Sequence, residues 1–306
     1  MIGISTVWRM KAGAKDAGEV LDPLLELGFS AIELDFRITA GLLQELIPSL
    51  KGHTPEAISI HNFCPVPDIL PPHKASGDAF NLASLDKEER ERAIRYTSRT
   101  LELAHELEVG QVVLHLGYVQ MEGRKDDPQR AFREGRWTEE MRSELLRERE
   151  EKAPPFIDNL LFSLEKIIQR AEALGVRIGV ENRYHLREIP LGEEIGRVLE
   201  EFKGGPIGYW HDTGHAAVLE ALGVMGHREL LERYAQQTIG VHLHDARGMD
   251  DHLPPGKGEI DFQMVKEFLP HGAILIMEIH PPATGDEIIE GREFLEEVWD
   301  HLNKDI

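Results

Sequence analysis

With 306 residues, 41% of them hydrophobic, the chain can bury one large core, and α/β barrels of this length form a single domain. Its formal charge of −21, from 55 acidic against 34 basic residues, argues against nucleic acid as a partner, because DNA and RNA are held chiefly by Lys and Arg neutralising phosphates. A lone cysteine, Cys64, excludes an internal disulfide, no apolar run approaches the roughly 18 residues that span a membrane, and an apolar strand from Ile2 leaves no room for a signal peptide. A cytoplasmic location is therefore expected.

In chain order, the apolar runs Ile2–Val7, Ala31–Phe36 and Ala57–Phe63 read as strands. Asn62–Leu85 follows, Pro-rich and too long for a turn, and then a helix that opens near Asp86 and continues to about Glu108. The Asp86 side chain is expected to cap that helix while Glu89 reaches back. Strand Gln111–Gly117 precedes a second long connection, Tyr118–Pro155, dense in charges of both signs around Trp137. A helix over Phe156–Leu174 carries Ile157, Leu160, Leu161, Leu164, Ile167, Ile168 and Ala171 on one face, with Gly175 as its C-terminal cap. Strands Arg177–Asn182, Ile207–Asp212, Thr238–Asp245 and Ala273–His280 and a last helix over roughly Asp286–Leu302 complete the chain.

Nearly continuous apolarity marks parallel strands covered on both faces. Eight strand-then-helix units predict an α/β fold of (β/α)₈ TIM-barrel type, one domain over residues 1–306, with a doubly wound open sheet as the competitor. Both long connections follow strands, which in a barrel places them over the C-terminal mouth. Segment 118–155 reads either as a lid or as a solvated helical excursion.

Nine residues of metal-ligand type lie at or just beyond these strand ends: His61, His115, Glu181, Asp212, His215, His242, Asp250, His252 and Glu278. A lone strand-end His is usually a hydrogen-bonded core residue, and a lone Glu usually pairs with Arg. Recurrence changes the balance. A carboxylate after a run of apolar residues is costly to bury unpaired, and this happens at Glu181 and again at Glu278. A shared divalent metal meets that cost, and imidazole with carboxylate suits Mn²⁺, Co²⁺, Zn²⁺ or Mg²⁺. His244 shares a strand face with His242 and rivals it as the ligand. His53, His73, His105, His227, His271 and His301 read as solvated and His211 as packing, while His185 and His280 stay undecided. Gly256-Lys257-Gly258 reads as a turn rather than a phosphate loop.

At Asn81-Leu82-Ala83-Ser84, Val180-Glu181-Asn182, Asp212-Thr213-Gly214-His215, His242-Leu243-His244-Asp245 and Pro254-Pro255-Gly256-Lys257-Gly258-Glu259-Ile260-Asp261-Phe262, the chain resembles the xylose-isomerase-like TIM-barrel superfamily. That superfamily unites sugar isomerases and epimerases with the endonuclease IV DNA-repair enzymes, and the resemblance runs from Ile2 to about Pro281. Its sugar branch implies one catalytic metal on Glu181, Asp212, His242 and Glu278, with Glu181 and Glu278 as the acid–base pair. Contacts to a small sugar or sugar phosphate would come from His215 and Arg247, with His61, His115 and Trp8 beside them. The reaction implied is isomerisation or epimerisation through a metal-stabilised enediolate. The endonuclease IV branch implies instead a multinuclear zinc phosphoesterase for abasic DNA or a small phosphoester, with additional metals on His61, His115, His215, Asp250 and His252. Barrels of this superfamily often pair, so a homo-oligomer is expected.

Overall fold

The computed structural model describes residues 1–121 and 127–300. Eight parallel strands close into one barrel: β1 (Ile2–Ser5), β2 (Ala31–Leu34), β3 (Glu56–His61), β4 (Gln111–Leu114), β5 (Arg177–Glu181), β6 (Ile207–Asp212), β7 (Thr238–Leu243) and, after a two-stranded hairpin of β8 (Asp245–Arg247) and β9 (Asp250–Leu253), β10 (Ile274–Met277). Closure is explicit, because β1 pairs with β2 on one side and β10 on the other, and this removes the open-sheet alternative. All eight strands stand where the apolar runs predict them. Most end two or three residues early, since the chain leaves the ladder as soon as it reaches the mouth; Val7, for example, already opens α1 (Val7–Lys11).

Outside the barrel lie α2 (Ala17–Glu26), α3 (Ala40–Lys51), α4 (Lys87–Glu106), α5 (Pro128–Arg133), α6 (Glu139–Leu174), α7 (Glu194–Glu201), α8 (Thr213–Ala221), α9 (His227–Tyr234), α10 (Phe262–Phe268) and α11 (Gly285–Asp300). Asp86 caps α4 as expected, accepting from Glu88 N at 2.8 Å. Glu89 does not close a capping box; it accepts from Asn81 N and so ties the loop before the helix. Helix α6 corrects the expected start at Phe156. It begins at Glu139 under a Thr138 cap and runs unbroken through Pro154 and Pro155 to the left-handed Gly175 (φ 68°). Both prolines face solvent, as do Glu150 and Glu151 one turn earlier, so water can satisfy the carbonyls that lose their helical partner.

The described part of segment 118–155 is therefore mostly helical. Phe132 and Trp137 pack on Val218, Leu222 and Met249, and Trp137 Nε1 donates to Leu222 O. That fastens the segment to α8 and to the β8–β9 hairpin at the C-terminal end of the barrel. Within the barrel, Trp210 fills the interior with Val113, Ile239 and Ile276. Its ring takes space that a Cβ at Gly179 or Gly240 would overlap, which explains glycine at both positions. Trp210 lies two residues before Asp212 on the same strand face and touches the His242 ring at 5.2 Å, so it floors the layer of polar residues above. Among the described residues, no helix is long and apolar enough to cross a membrane.

Candidate metal centre

Above Trp210 the strand ends bring together four buried side chains, Glu181, Asp212, His242 and Glu278, each with a donor atom within 4.8 Å of the others. The ladder produces this directly. Asp212 is paired with His242 across β6–β7, and Glu278 N–H bonds to Leu243 O one step further along. His242 Nδ1 lies 3.2 Å from Glu278 Oε2, 3.5 Å from Glu181 Oε1 and 3.6 Å from Asp212 Oδ2. Neither His242 Nδ1 nor Glu181 Oε2 has a hydrogen-bond partner, although both are buried. Such atoms are expensive to leave bare, and the donor set is that of a divalent cation.

The turn from β6 into α8 explains part of the geometry. Asp212 ends the strand and caps the helix, its Oδ1 accepting from His215 N at 2.7 Å. His215 is thereby lifted one turn above its own cap. Gly214 lies between them because a Cβ there would overlap the His244 ring.

Each cavity-facing histidine has one nitrogen anchored and the other turned inward. His61 Nδ1 is held by Asn62 O at 2.8 Å, His115 Nδ1 by Asp78 at 3.0 Å and His215 Nδ1 by Asn182 O at 3.0 Å. His242 Nε2 is held by both Glu33 oxygens at 3.1 Å, and His252 Nδ1 by Glu278 O at 3.1 Å. This is how proteins fix the tautomer of a ligating imidazole. On His115 both nitrogens have partners, Nδ1 on Asp78 and Nε2 accepting from Arg183 Nη1 at 2.7 Å, with Glu181 Oε2 2.9 Å away.

Three further donor groups flank the first among the described residues: His61, His115 and Glu181; His215, Asp251 and His252; and His244, His252 and Glu278. Burial pushes the Glu181 and Asp212 carboxyls up, but the surrounding histidines, led by His115 for Glu181 and His215 for Asp212, hold both well below the ordinary range. Glu278 goes the other way: burial, together with its acidic neighbours, raises it despite His242.

Most sequence-predicted residues meet here, with four corrections. Asp250 is not in the cluster; its side chain is 72% exposed and paired with Arg133 at 3.0 Å. Asp251 takes the place expected of it, because the hairpin register slips and His252 adopts φ 53°, which breaks the two-residue alternation. Arg247 is also turned out, 65% exposed and bonded to Lys257 O. Trp8 belongs to the core, donating to Ala283 O. His227, expected in solvent, is buried against His211 at 2.9 Å.

His244 is resolved from His242 by its partners. Its Nδ1 accepts from His252 N and its Nε2 meets Asp212 at 2.9 Å, so it supports a ligand-type residue with both nitrogens spent. His53, His73, His105 and His271 are exposed as expected, and His301 lies outside the described residues. His280 lines the cavity, stacked on His252 at 3.6 Å, and His185 packs on Tyr184. The Gly256-Lys257-Gly258 turn folds onto Asp245, whose carboxylate accepts from Gly256 N, Gly258 N and Ile260 N.

Sequence reasoning missed Glu33, Asp78 and Arg183. Glu33 interrupts Ala31-Ile32-Glu33-Leu34 and carries the same signal as Glu181. Asp78 lies in a loop where nothing local marks it. The open space over these groups is a cavity of about 170 Å³ bounded by His61, His115, Glu181, Arg183, His215 and Glu278, among others. A larger space of about 410 Å³ beneath α5 and α6 is lined by Met121, Leu145, Tyr184 and Leu222 and contains none of the donor groups; only Tyr184 borders both.

Residues 21–298 match the model of a family described as xylose isomerase-like TIM barrel. The uncharacterized protein MJ1311 of Methanocaldococcus jannaschii is 27% identical over 231 residues, 74% of this chain and 69% of that protein. Among solved structures, a D-tagatose 3-epimerase-like protein superposes with a TM-score of 0.68 at 23% identity, covering 99% of this chain and 98% of that one. An L-ribulose 3-epimerase gives 0.68 at 18% identity, covering 99% and 96%. At these identities the structural likeness establishes the fold alone.

Proposed function

The chain belongs to the xylose isomerase-like TIM-barrel family, and from that premise we propose that it is a divalent-metal-dependent isomerase or epimerase of a small sugar or sugar phosphate. The observation that carries this reading is the convergence of Glu181, Asp212, His242 and Glu278 on one point with bare, buried donor atoms. The epimerases among the similar structures add support.

Glu181, Asp212, His242 and Glu278 would hold the ion, which when bound supplies the charge that stabilises an enediolate as an adjacent C–H is lost. Glu181 and Glu278 then carry the proton, one removing it and the other returning it. They come from β5 and β10, with β6 and β7 between them around the ring, which lets them approach one carbon from different sides as epimerisation requires. Glu33 holds His242 in the tautomer that leaves its Nδ1 free, and Asp78 with Arg183 fixes the His115 ring. The described residues 127–155, fastened to α8 and the β8–β9 hairpin, would act as a lid that keeps water from the reacting carbon. Solvent-deuterium exchange into substrate tests the pair: Glu181→Gln and Glu278→Gln are each expected to abolish it, and full exchange in both variants contradicts the proposal.

The flanking donor groups support a second reading, a multinuclear zinc phosphoesterase in which Glu181, common to two of the groups, would help to hold more than one ion. Metal content per folded chain separates the two, about one favouring the sugar enzyme and two or three the hydrolase.

A further inference from the structure

One side of the cavity is basic, and the acid–base chemistry above makes no use of it. Arg37 lines the cavity just beyond β2. It stacks over Phe36 at 4.2 Å and gives only Nη1 to Asp35, at 2.7 Å, so its Nε and Nη2 have no acceptor among the described residues. His280 lines the same cavity, and its Nδ1 receives the Nζ of the exposed Lys11 at 2.9 Å. An ammonium can only donate, so His280 is neutral and carries its proton on Nε2. The bonded partner of Lys11 is thus an uncharged ring. Glu278, Asp35 and Asp251 act on it only from longer range, while partial burial first and the nearby Arg37 charge second pull its pKa below the ordinary lysine value. Two cations stand together in a chain of net charge −21, and only one of them is ion-paired. A metal held by Glu278, or by Asp251, would draw on the very carboxylates that now offset Lys11.

We propose that Lys11, Arg37 and His280 form an anion subsite that holds the terminal phosphate or carboxylate of the substrate while its carbonyl end faces Glu181 and Glu278. The free edge of a guanidinium, an ammonium and an imidazole N–H suit the tetrahedral or planar oxygens of such a group. The inference rests on the sugar-enzyme reading and narrows its substrates to anionic sugars.

The test uses the full chain loaded with Mn²⁺ in two measurements. Titration calorimetry with inorganic phosphate is expected to show binding that Lys11→Gln and Arg37→Gln each weaken roughly tenfold, the loss of one charge-assisted hydrogen bond. Deuterium exchange is then followed in neutral ketoses, their terminal phosphates and the corresponding sugar acids. One anionic class is expected to exceed the neutral sugars in kcat/KM by roughly tenfold or more, and Lys11→Gln is expected to erase most of that ratio. Whether the phosphates or the acids lead identifies the anion. Faster exchange in neutral sugars, with a ratio that Lys11→Gln leaves unmoved, overturns the subsite and leaves the sugar enzyme standing. No exchange in any sugar, with phosphate binding still weakened by Lys11→Gln, overturns the sugar enzyme and retains the subsite. Equal phosphate affinity in the parent and both variants overturns the subsite outright.

Discussion

Two sets of buried histidines lie on opposite faces of the strands that carry Asp212. On the inner face, His61, His215, His242 and His252 each spend one nitrogen on a carbonyl or carboxylate and leave the other toward the cavity, while His115 spends both, on Asp78 and Arg183. On the outer face, His211 spends both: Nδ1 meets Tyr209 Oη at 2.8 Å and Nε2 meets His227 at 2.9 Å. His61, His215 and His242 are as buried as His211 and His227, so burial does not separate a binding site from a structural network. The difference lies in completed hydrogen bonding, and it marks the inner set as a place where something is still to be bound.

That contrast can be broken at several points. The largest effect is expected at the acid–base pair, where Glu181→Gln or Glu278→Gln removes a proton carrier and lowers kcat by about 10³-fold, within the usual range for general acid–base groups. Next come the residues that orient imidazoles. Glu33→Gln should weaken metal binding by roughly 10–100-fold while the far-ultraviolet spectrum of the barrel is retained. An unchanged affinity would mean that His242 is not a ligand.

The outer pair predicts a stability effect. Burial holds His227 down to about 4, against an ordinary 6.5. Below pH 6.5 the unfolded chain therefore takes up a proton that the folded chain refuses. Stability is lost as pH falls from 6.5 to about 4 and the loss then levels off, amounting to about 3 kcal/mol. Denaturant titrations across that window should show the loss, and His227→Gln should flatten much of it. The smallest effect is expected at the hairpin. Asp251→Asn should leave the ion on Glu181, Asp212, His242 and Glu278 in place and lower total metal content only if the multinuclear reading holds, whereas Asp250→Asn and Arg247→Ala should shift stability by less than about 0.5 kcal/mol and leave metal affinity unaltered.

The same contrast shows what could be read from sequence. Parallel strands covered on both faces must be apolar throughout, so all eight were legible as runs, and carboxylates ending such runs stood out at Glu181 and Glu278. Glu33 obeys the same rule and was legible in principle. His227 was not, because its burial depends on how α9 packs against the outer face of β6. The choice of Asp251 over Asp250 turns on the φ of one residue, His252, which no local pattern announces. Pro154 and Pro155 concealed the true start of α6 because prolines that break a buried helix are tolerated where water reaches the freed carbonyls.

The central claim is that Glu181, Asp212, His242 and Glu278 share a cation. A crystal grown with Mn²⁺ or Zn²⁺ and measured at the metal absorption edge tests it most directly. An anomalous peak within bonding distance of His242 Nδ1 and Glu181 is the result predicted. The same barrel with that point empty at millimolar metal, or with ions only on exposed carboxylates, would contradict it.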